Sequence, residues 1–341
     1  MTLDHLSSIP VCDFSHWKGK QQSALRERFL ETWDYAFRTF GFLILINHGL
    51  EKKYHALNLE LKRFFEHPLE KKLAFRLSKS YGLGGYTPQG QESVSKSHLK
   101  SEKRPPDAVE SLVLSREIPE SFPCISNGYE NDHLKFQSLA LQKDLDELTL
   151  NVMKIMADCL QLPENFFREF YTSSDSTKDL RCAHYLPGED SKTGCLRYGE
   201  HTDYTGFTFL WRSEDNGLQC LAPGRKTTDP KENDWIDVTL IQGNRDALVI
   251  NAGDLIQRWT NKYWISNVHR VAGPTFRLRE KQTNLSNPLS IVYFTGPAGN
   301  TKIKMLSESK KVASTGEALA EYRDEVTAEE HLWRKINASN E

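Results

Sequence analysis

The sequence predicts a mainly β fold with α-helical support: a β-sandwich or barrel core, helices in the N-terminal part and a C-terminal helix. Three observations carry this. From residue 180 onward, seven short β-prone runs ("LRCAHYL", "FTFLWR", "LQCLA", "WIDVTL", "ALVINAGD", "WISNVHRVAG", "PLSIVYFTG") follow one another between Gly, Asn, Asp and Pro. Runs so spaced close into sandwiches or barrels. Ahead of them lies one long helical pattern, and at 341 residues and 39.2 kDa the chain buries a large core.

In order, "IPVCDF" reads as a short strand, residues 21–40 as an amphipathic helix ending at Gly41, and "FLILINHG" as a buried strand stopped by Gly49. Residues 51–66 give another helix. The segment from about 78 to 128, with "YGLGGYTPQG" and "KRPPD", reads as ordered loops. Residues 130–170 repeat apolar positions every three or four residues, with Pro163 marking the end of that helix. After the β runs, residues 314–339 return to helix, with Ser314 or Thr315 as a cap before an acidic first turn. The resulting division is 1–130, a mixed α/β region; 131–313, the β core with its supporting helix; and 314–341, a helical tail.

Charge and composition narrow the function. With 44 basic and 46 acidic residues the formal charge is −2, which gives no overall attraction to nucleic acid or an anionic membrane. The expected partner is a small molecule. No apolar stretch approaches the roughly 20 residues that span a bilayer, and "MTLDHLSSIP" lacks the apolar segment of a secretory signal, so the expectation is a soluble, cytoplasmic enzyme. Cys12, Cys124, Cys159, Cys182, Cys195 and Cys220 form no CxxC pair and read as reduced structural thiols. Gly82, Gly84 and Gly85 have no nucleotide-loop context and read as a turn at a pocket entrance. His48 reads as a structural histidine, and "KSHLKSEKR" as a solvated loop. Tyr86 and Glu92 are candidates to face substrate.

One stretch carries chemistry. In "YGEHTDYTGFTFLWR", His201 and Asp203 stand two residues apart, and on a strand such residues share a face. They read either as two metal ligands or as a polar strand end beside a turn. His269, in "WISNVHRVAG", is the candidate third ligand. Two imidazoles and a carboxylate on one face of an octahedron leave positions open for cosubstrate and dioxygen, as in non-haem Fe(II) oxygenases; zinc accepts the same donors.

The chain as a whole resembles the isopenicillin N synthase-like branch of the Fe(II)/2-oxoglutarate-dependent oxygenases. The resemblance runs through "IPVCDFS", "FGFLILINHG", "GGYTPQGQE", "LRCAHYLPG", "GEHTDYTGFTFL", "GLQCL", "ALVINAGDLIQRWTNKYWISNVHRV" and "LSIVYFTGP" in that order. It implies a double-stranded β-helix (jelly-roll) core, with residues 1–130 of the non-haem dioxygenase N-terminal type. It makes His201, Asp203 and His269 the ligands of Fe(II), with dioxygen and 2-oxoglutarate as cosubstrates. The implied reaction is hydroxylation, desaturation or oxidative cyclisation of a small specialised metabolite or amino-acid-derived substrate through a ferryl intermediate. Two other readings stand beside it: an oxidase that, like isopenicillin N synthase, does not use 2-oxoglutarate, and a non-catalytic metal- or ligand-binding barrel.

The family grips the distal carboxylate of 2-oxoglutarate with an Arg-x-Ser pair. Here "SNPLSIVYF" keeps Ser290 but has Pro288 where the arginine belongs. Arg258, Arg270, Arg277 and Arg279 are the available basic side chains, with Arg258 the candidate placed beside Tyr185 and Ser290 in cosubstrate binding. Tyr185 matches a family tyrosine near the iron, and Ala183 stands where other members have an amide.

Overall fold

The structure is a computed structural model that describes residues 9–18, 23–76, 84–94, 106–114, 129–186, 196–215, 217–225, 230–240, 244–273 and 288–340. The N-terminal part runs β1 (Val11–Asp13), α1 (Phe14–Lys18), α2 (Ala24–Thr39), β2 (Phe42–Ile46), α3 (Glu51–Glu66) and α4 (Leu69–Leu73). Helix α2 starts where extended Ser23 accepts from the Arg26 N–H at 3.2 Å. Its spacing of Phe29, Trp33, Ala36 and Phe37 buries one face in the main core. It stops at Gly41, whose φ of 67° is left-handed and whose N–H returns to the Ala36 carbonyl at 3.1 Å. A Cβ there would sit 2.4 Å from the Ile265 carbonyl oxygen, so the position also demands glycine for space.

Two strands lie where the sequence suggested only loops: β3 (Gly85–Thr87) and β4 (Glu110–Leu114). Strand β4 is buried at every position, so "ESLVL" shows no alternation to betray it, and β3 is too short for a pattern. Helix α5 (Tyr129–Leu160) follows, ending three residues before the expected Pro163 mark because Gln161 turns left-handed at φ 57°. After α6 (Arg168–Thr172) come β5 (Ser176–His184), β6 (Tyr198–His201), β7 (Phe207–Arg212), β8 (Leu218–Leu221), β9 (Trp235–Asp237), β10 (Leu248–Ala252), α7 (Asp254–Trp259), β11 (His269–Val271) and β12 (Leu289–Ala298). The chain closes with α8 (Lys310–Ala313) and α9 (Ala328–Asn340).

The described strands form a major sheet in the order β1-β2-β10-β7-β12-β5-β4-β3 and a minor sheet in the order β6-β11-β8-β9. The two face each other as the jelly-roll core. Alternation along β7 shows how: Phe207, Phe209 and Trp211 enter the helix-covered core, while Leu210 packs between the sheets with Phe42, Ala183, Tyr185, Cys220, Val249 and Val271. The N-terminal part supplies both margins of the major sheet, β1 and β2 beyond β10, and β4 and β3 beyond β5.

Two sequence expectations change. "YGEHTDYTGFTFLWR" is not one strand: β6 and β7 belong to different sheets, with a turn between them. The tail is not a helix from residue 314. Ser314 and Thr315 donate to the Lys311 and Val312 carbonyls as the end of α8, and α9 begins only at Ala328. Its cap is Thr327, whose hydroxyl accepts from the Glu330 N–H while the Thr327 N–H donates to the Glu330 carboxylate. Among the described residues no helix is long and apolar enough to cross a membrane. Cys12, Cys159, Cys182 and Cys220 are buried free thiols; Cys124, Cys195, Gly82 and the stretch "KSHLKSEKR" lie outside the described residues.

Candidate metal centre and its cavity

His201 ends β6 and His269 begins β11, and the antiparallel register sets them directly opposite one another, their rings 4.1 Å apart. Asp203 lies beyond the strand end, so the turn rather than strand parity brings its carboxylate round. Its Oδ1 stands 3.6 Å from His201 Nε2 and 3.7 Å from His269 Nε2. All three are buried, and one ligand atom from each lies within 4.8 Å of the others.

The surroundings fix which atoms face inward. His201 Nδ1 lies 2.8 Å from the Gly199 carbonyl and His269 Nδ1 3.1 Å from that of Asn267, so each Nδ1–H donates and each Nε2 keeps its lone pair for the centre. Asp203 Oδ2 accepts from Thr208 on β7 and, at 2.6 Å, from the Asn251 amide on β10. That leaves Oδ1 for a cation. Burial, together with His269, pushes His201 down to about 3, which keeps it a neutral donor.

The turn carrying Asp203 sits hard against β10 and α7. The Asp254 N–H donates to the Asp203 carbonyl at 2.8 Å, and the Gly253 N–H to the Gly206 carbonyl at 2.6 Å. A Cβ at Gly253 would lie 2.4 Å from the Thr205 carbonyl oxygen, so glycine is what allows the approach. Two nitrogens and one carboxylate oxygen on one side, with no fourth protein donor among the described residues, suit an iron that must also hold cosubstrate; a structural zinc site would be closed by four.

A cavity of about 220 Å³ opens beside His201 and Asp203. Besides the ligands, the charged side chains on its wall are Arg181, Asp179 and Glu92; Val113 and Phe294 supply apolar surface. Arg181 pairs with Glu92 at 2.6 Å, and burial pushes the Asp179 carboxyl above its ordinary value. The outer wall comes from Leu332 and Ile336 of α9. That helix is pinned by Lys335, 2.8 Å from the Asp254 carboxylate, with His331 3.6 Å from the same oxygen.

The other sequence candidates divide. Glu92 lines the cavity, whereas the Tyr86 hydroxyl donates to Glu110. His48 is structural: its Nε2 donates to the Asp246 carbonyl at 2.6 Å and its Nδ1 accepts from the Leu50 N–H. Tyr185 and Ser290 come together, their side chains hydrogen-bonded. The Pro288 carbonyl accepts from the Tyr185 N–H at 3.1 Å. Arg258 does not join them: its guanidinium donates to the carbonyls of Ile303, Glu321, Tyr322 and Asp324 and to the Asp324 carboxylate, holding the C-terminal segment. Arg270 bonds Gln219 and Glu232 and stacks on Trp235. Arg277 and Arg279 lie outside the described residues.

Sequence reasoning missed Asn251, Thr208 and Arg181, and it placed a C-terminal helix without assigning it to the cavity wall. The available signal was parity, since Asn251 is a polar residue within an apolar run, and Thr208 and Arg181 alternate with apolar neighbours on their strands.

Known proteins match along the chain. Residues 9–135 match the family described as non-haem dioxygenase in morphine synthesis N-terminal, and residues 176–297 the 2OG-Fe(II) oxygenase superfamily. The 2-oxoglutarate-dependent dioxygenase tropC of Talaromyces stipitatus is 29% identical over 331 residues, covering 91% of this chain and 92% of that protein. The 2-oxoglutarate-Fe(II) type oxidoreductase hxnY of Emericella nidulans is 27% identical over 289 residues, covering 79% of this chain and 76% of that protein. Among solved structures, a full-length Neurospora crassa protein in complex with alpha-KG superposes with a TM-score of 0.77 at 27% identity, covering 99% of this chain and 98% of that one. The same Neurospora protein has also been solved with alpha-KG and thymine together.

Proposed function

The chain belongs to the 2OG-Fe(II) oxygenase superfamily, in the isopenicillin N synthase-like branch, and we propose that it oxidises a small specialised metabolite or amino-acid-derived substrate by hydroxylation, desaturation or oxidative cyclisation. As a member it takes Fe(II) and 2-oxoglutarate, and it is an oxidoreductase. Bound ferrous iron, with 2-oxoglutarate and dioxygen, supplies an oxidant strong enough to take hydrogen from an unactivated C–H bond.

The chain's own residues do the rest. His201, His269 and Asp203 hold the metal, and the hydrogen bonds behind them keep the three donor atoms aimed. Tyr185 and Ser290 present hydroxyls to the cosubstrate. The observation that carries the substrate reading is the cavity, which has two of the three ligands on its wall and room for a small molecule. Arg181, Asp179 and Glu92 orient polar groups of that molecule, while Leu332 and Ile336 keep water from the oxidant. The thymine complex of the Neurospora protein is in keeping with a substrate of this size.

The test is anaerobic loading with Fe(II) and 2-oxoglutarate, then oxygen, against a panel of small aromatic, heterocyclic and amino-acid-derived compounds. Succinate release should rise in step with a product that has gained oxygen or lost hydrogen by mass spectrometry. Consumption of a substrate with no succinate released would overturn the reading.

A further inference from the structure

We infer that Arg212, on β7, stands in for the arginine missing at position 288 and, with Ser290 and Tyr185, binds the distal carboxylate of 2-oxoglutarate. The inference rests on the reading that this enzyme uses 2-oxoglutarate and concerns which residue anchors it.

The register supplies the argument. Residues directly paired across antiparallel strands share a face. Ser290 is paired with Arg212 on one side and with Ala183 on the other. Tyr185 continues the same face two residues beyond Ala183, and its side chain bonds Ser290. Arg212, Ser290 and Tyr185 therefore point into one space between the sheets. Ala183, Val238 and Val249 belong to the cluster packed there, and Arg212 is only 2% exposed.

The guanidinium crosses this interior: its Nη1 donates to the Val238 carbonyl at 2.7 Å, with an Asp215 oxygen 3.8 Å away. The pairing of the minor sheet relates Val238 to the metal ligands. The Val238 N–H bonds the Leu218 carbonyl, Leu218 is paired with Val271, and Val271 lies two residues along β11 from the ligand His269. Val238 is thus offset from His269 by two residues along the strand, about 7 Å, and by two strand spacings of about 4.8 Å each across the minor sheet. Pro288 has no side-chain donor, whereas arginine's planar fork of donors matches a carboxylate. Arg258 and Arg270 have their guanidinium groups engaged elsewhere. Arg197, whose guanidinium is 5.9 Å from the Tyr185 ring, is the competing cation.

The test is calorimetric titration of the Mn(II)-loaded protein without oxygen, using 2-oxoglutarate and 2-oxopentanoate, which lacks the distal carboxylate. Arg212→Gln should weaken 2-oxoglutarate by at least about 30-fold while leaving 2-oxopentanoate within about threefold. Arg212→Lys, which keeps charge and bulk, should fall between. Adding Pro288→Arg to Arg212→Gln should recover most of the loss. The proposal is overturned if Arg212→Gln or Arg212→Lys keeps wild-type affinity, if both ligands weaken equally, or if Arg197→Gln alone removes the preference for 2-oxoglutarate. Wild-type protein that binds no 2-oxoglutarate would sink the functional reading as well, so the two failures are told apart.

Discussion

A single oxygen atom, Oδ2 of Asp203, shows how much of a metal site lies outside its ligands. Thr208 and Asn251 both donate to it, from different strands, and so direct Oδ1 at the two imidazoles. Partners of this kind commonly change metal affinity 10- to 100-fold when lost. Asn251→Ala should therefore weaken Fe(II) binding by roughly 10- to 100-fold in an anaerobic titration while leaving the fold intact. Asp203→Ala should retain no metal. The three ligands were legible in the sequence because their residue types and the late histidine are distinctive. Their braces were not: Asn251 sits in the apolar run "ALVINAGD", and its role depends on which strand lies beside it, a fact of pairing that local pattern does not contain.

Helix α9 is the element on which the cavity's outer wall depends. Its Lys335 and His331 flank Asp254, the residue that follows Gly253 beneath the metal turn. Burial raises the Asp254 carboxyl, but these two partners outweigh burial and hold it far below the ordinary carboxylate range. A depressed carboxyl stabilises in full above its unfolded value of about 4 and loses that contribution as pH falls below it. Proteolytic release of α9 should accelerate below about pH 4 in the wild type. In Asp254→Asn it should already be fast at neutral pH and change little with acid. The sequence showed a helical tail but not its start. "EALAEYRDEV" has good helix formers, yet the Glu321, Tyr322 and Asp324 carbonyls are taken by Arg258, so only a 3-10 turn at Ala320–Tyr322 forms before α9.

At the scale of the molecule, the β core is not separable from the first 130 residues. Strand β10, which carries Asn251, lies between β7 and the N-terminal β2, and β5 lies between β12 and the N-terminal β4. Residues 131–313 expressed alone would bare both margins of the sheet, and exposed edges pair with other chains. The fragment should elute from size exclusion as aggregate where the full chain does not. The fold class was legible from the turn-punctuated runs. The contribution of β3 and β4 was not, since strands this short and this buried carry no period. The family match ends at residue 297, but Leu332 and Ile336 stand on the cavity wall. If the cavity holds the substrate as proposed, its outer wall belongs to a chain end that holds none of the three metal ligands, so exchanging Leu332 or Ile336 should change which compounds are oxidised while Fe(II) binding stays as it was.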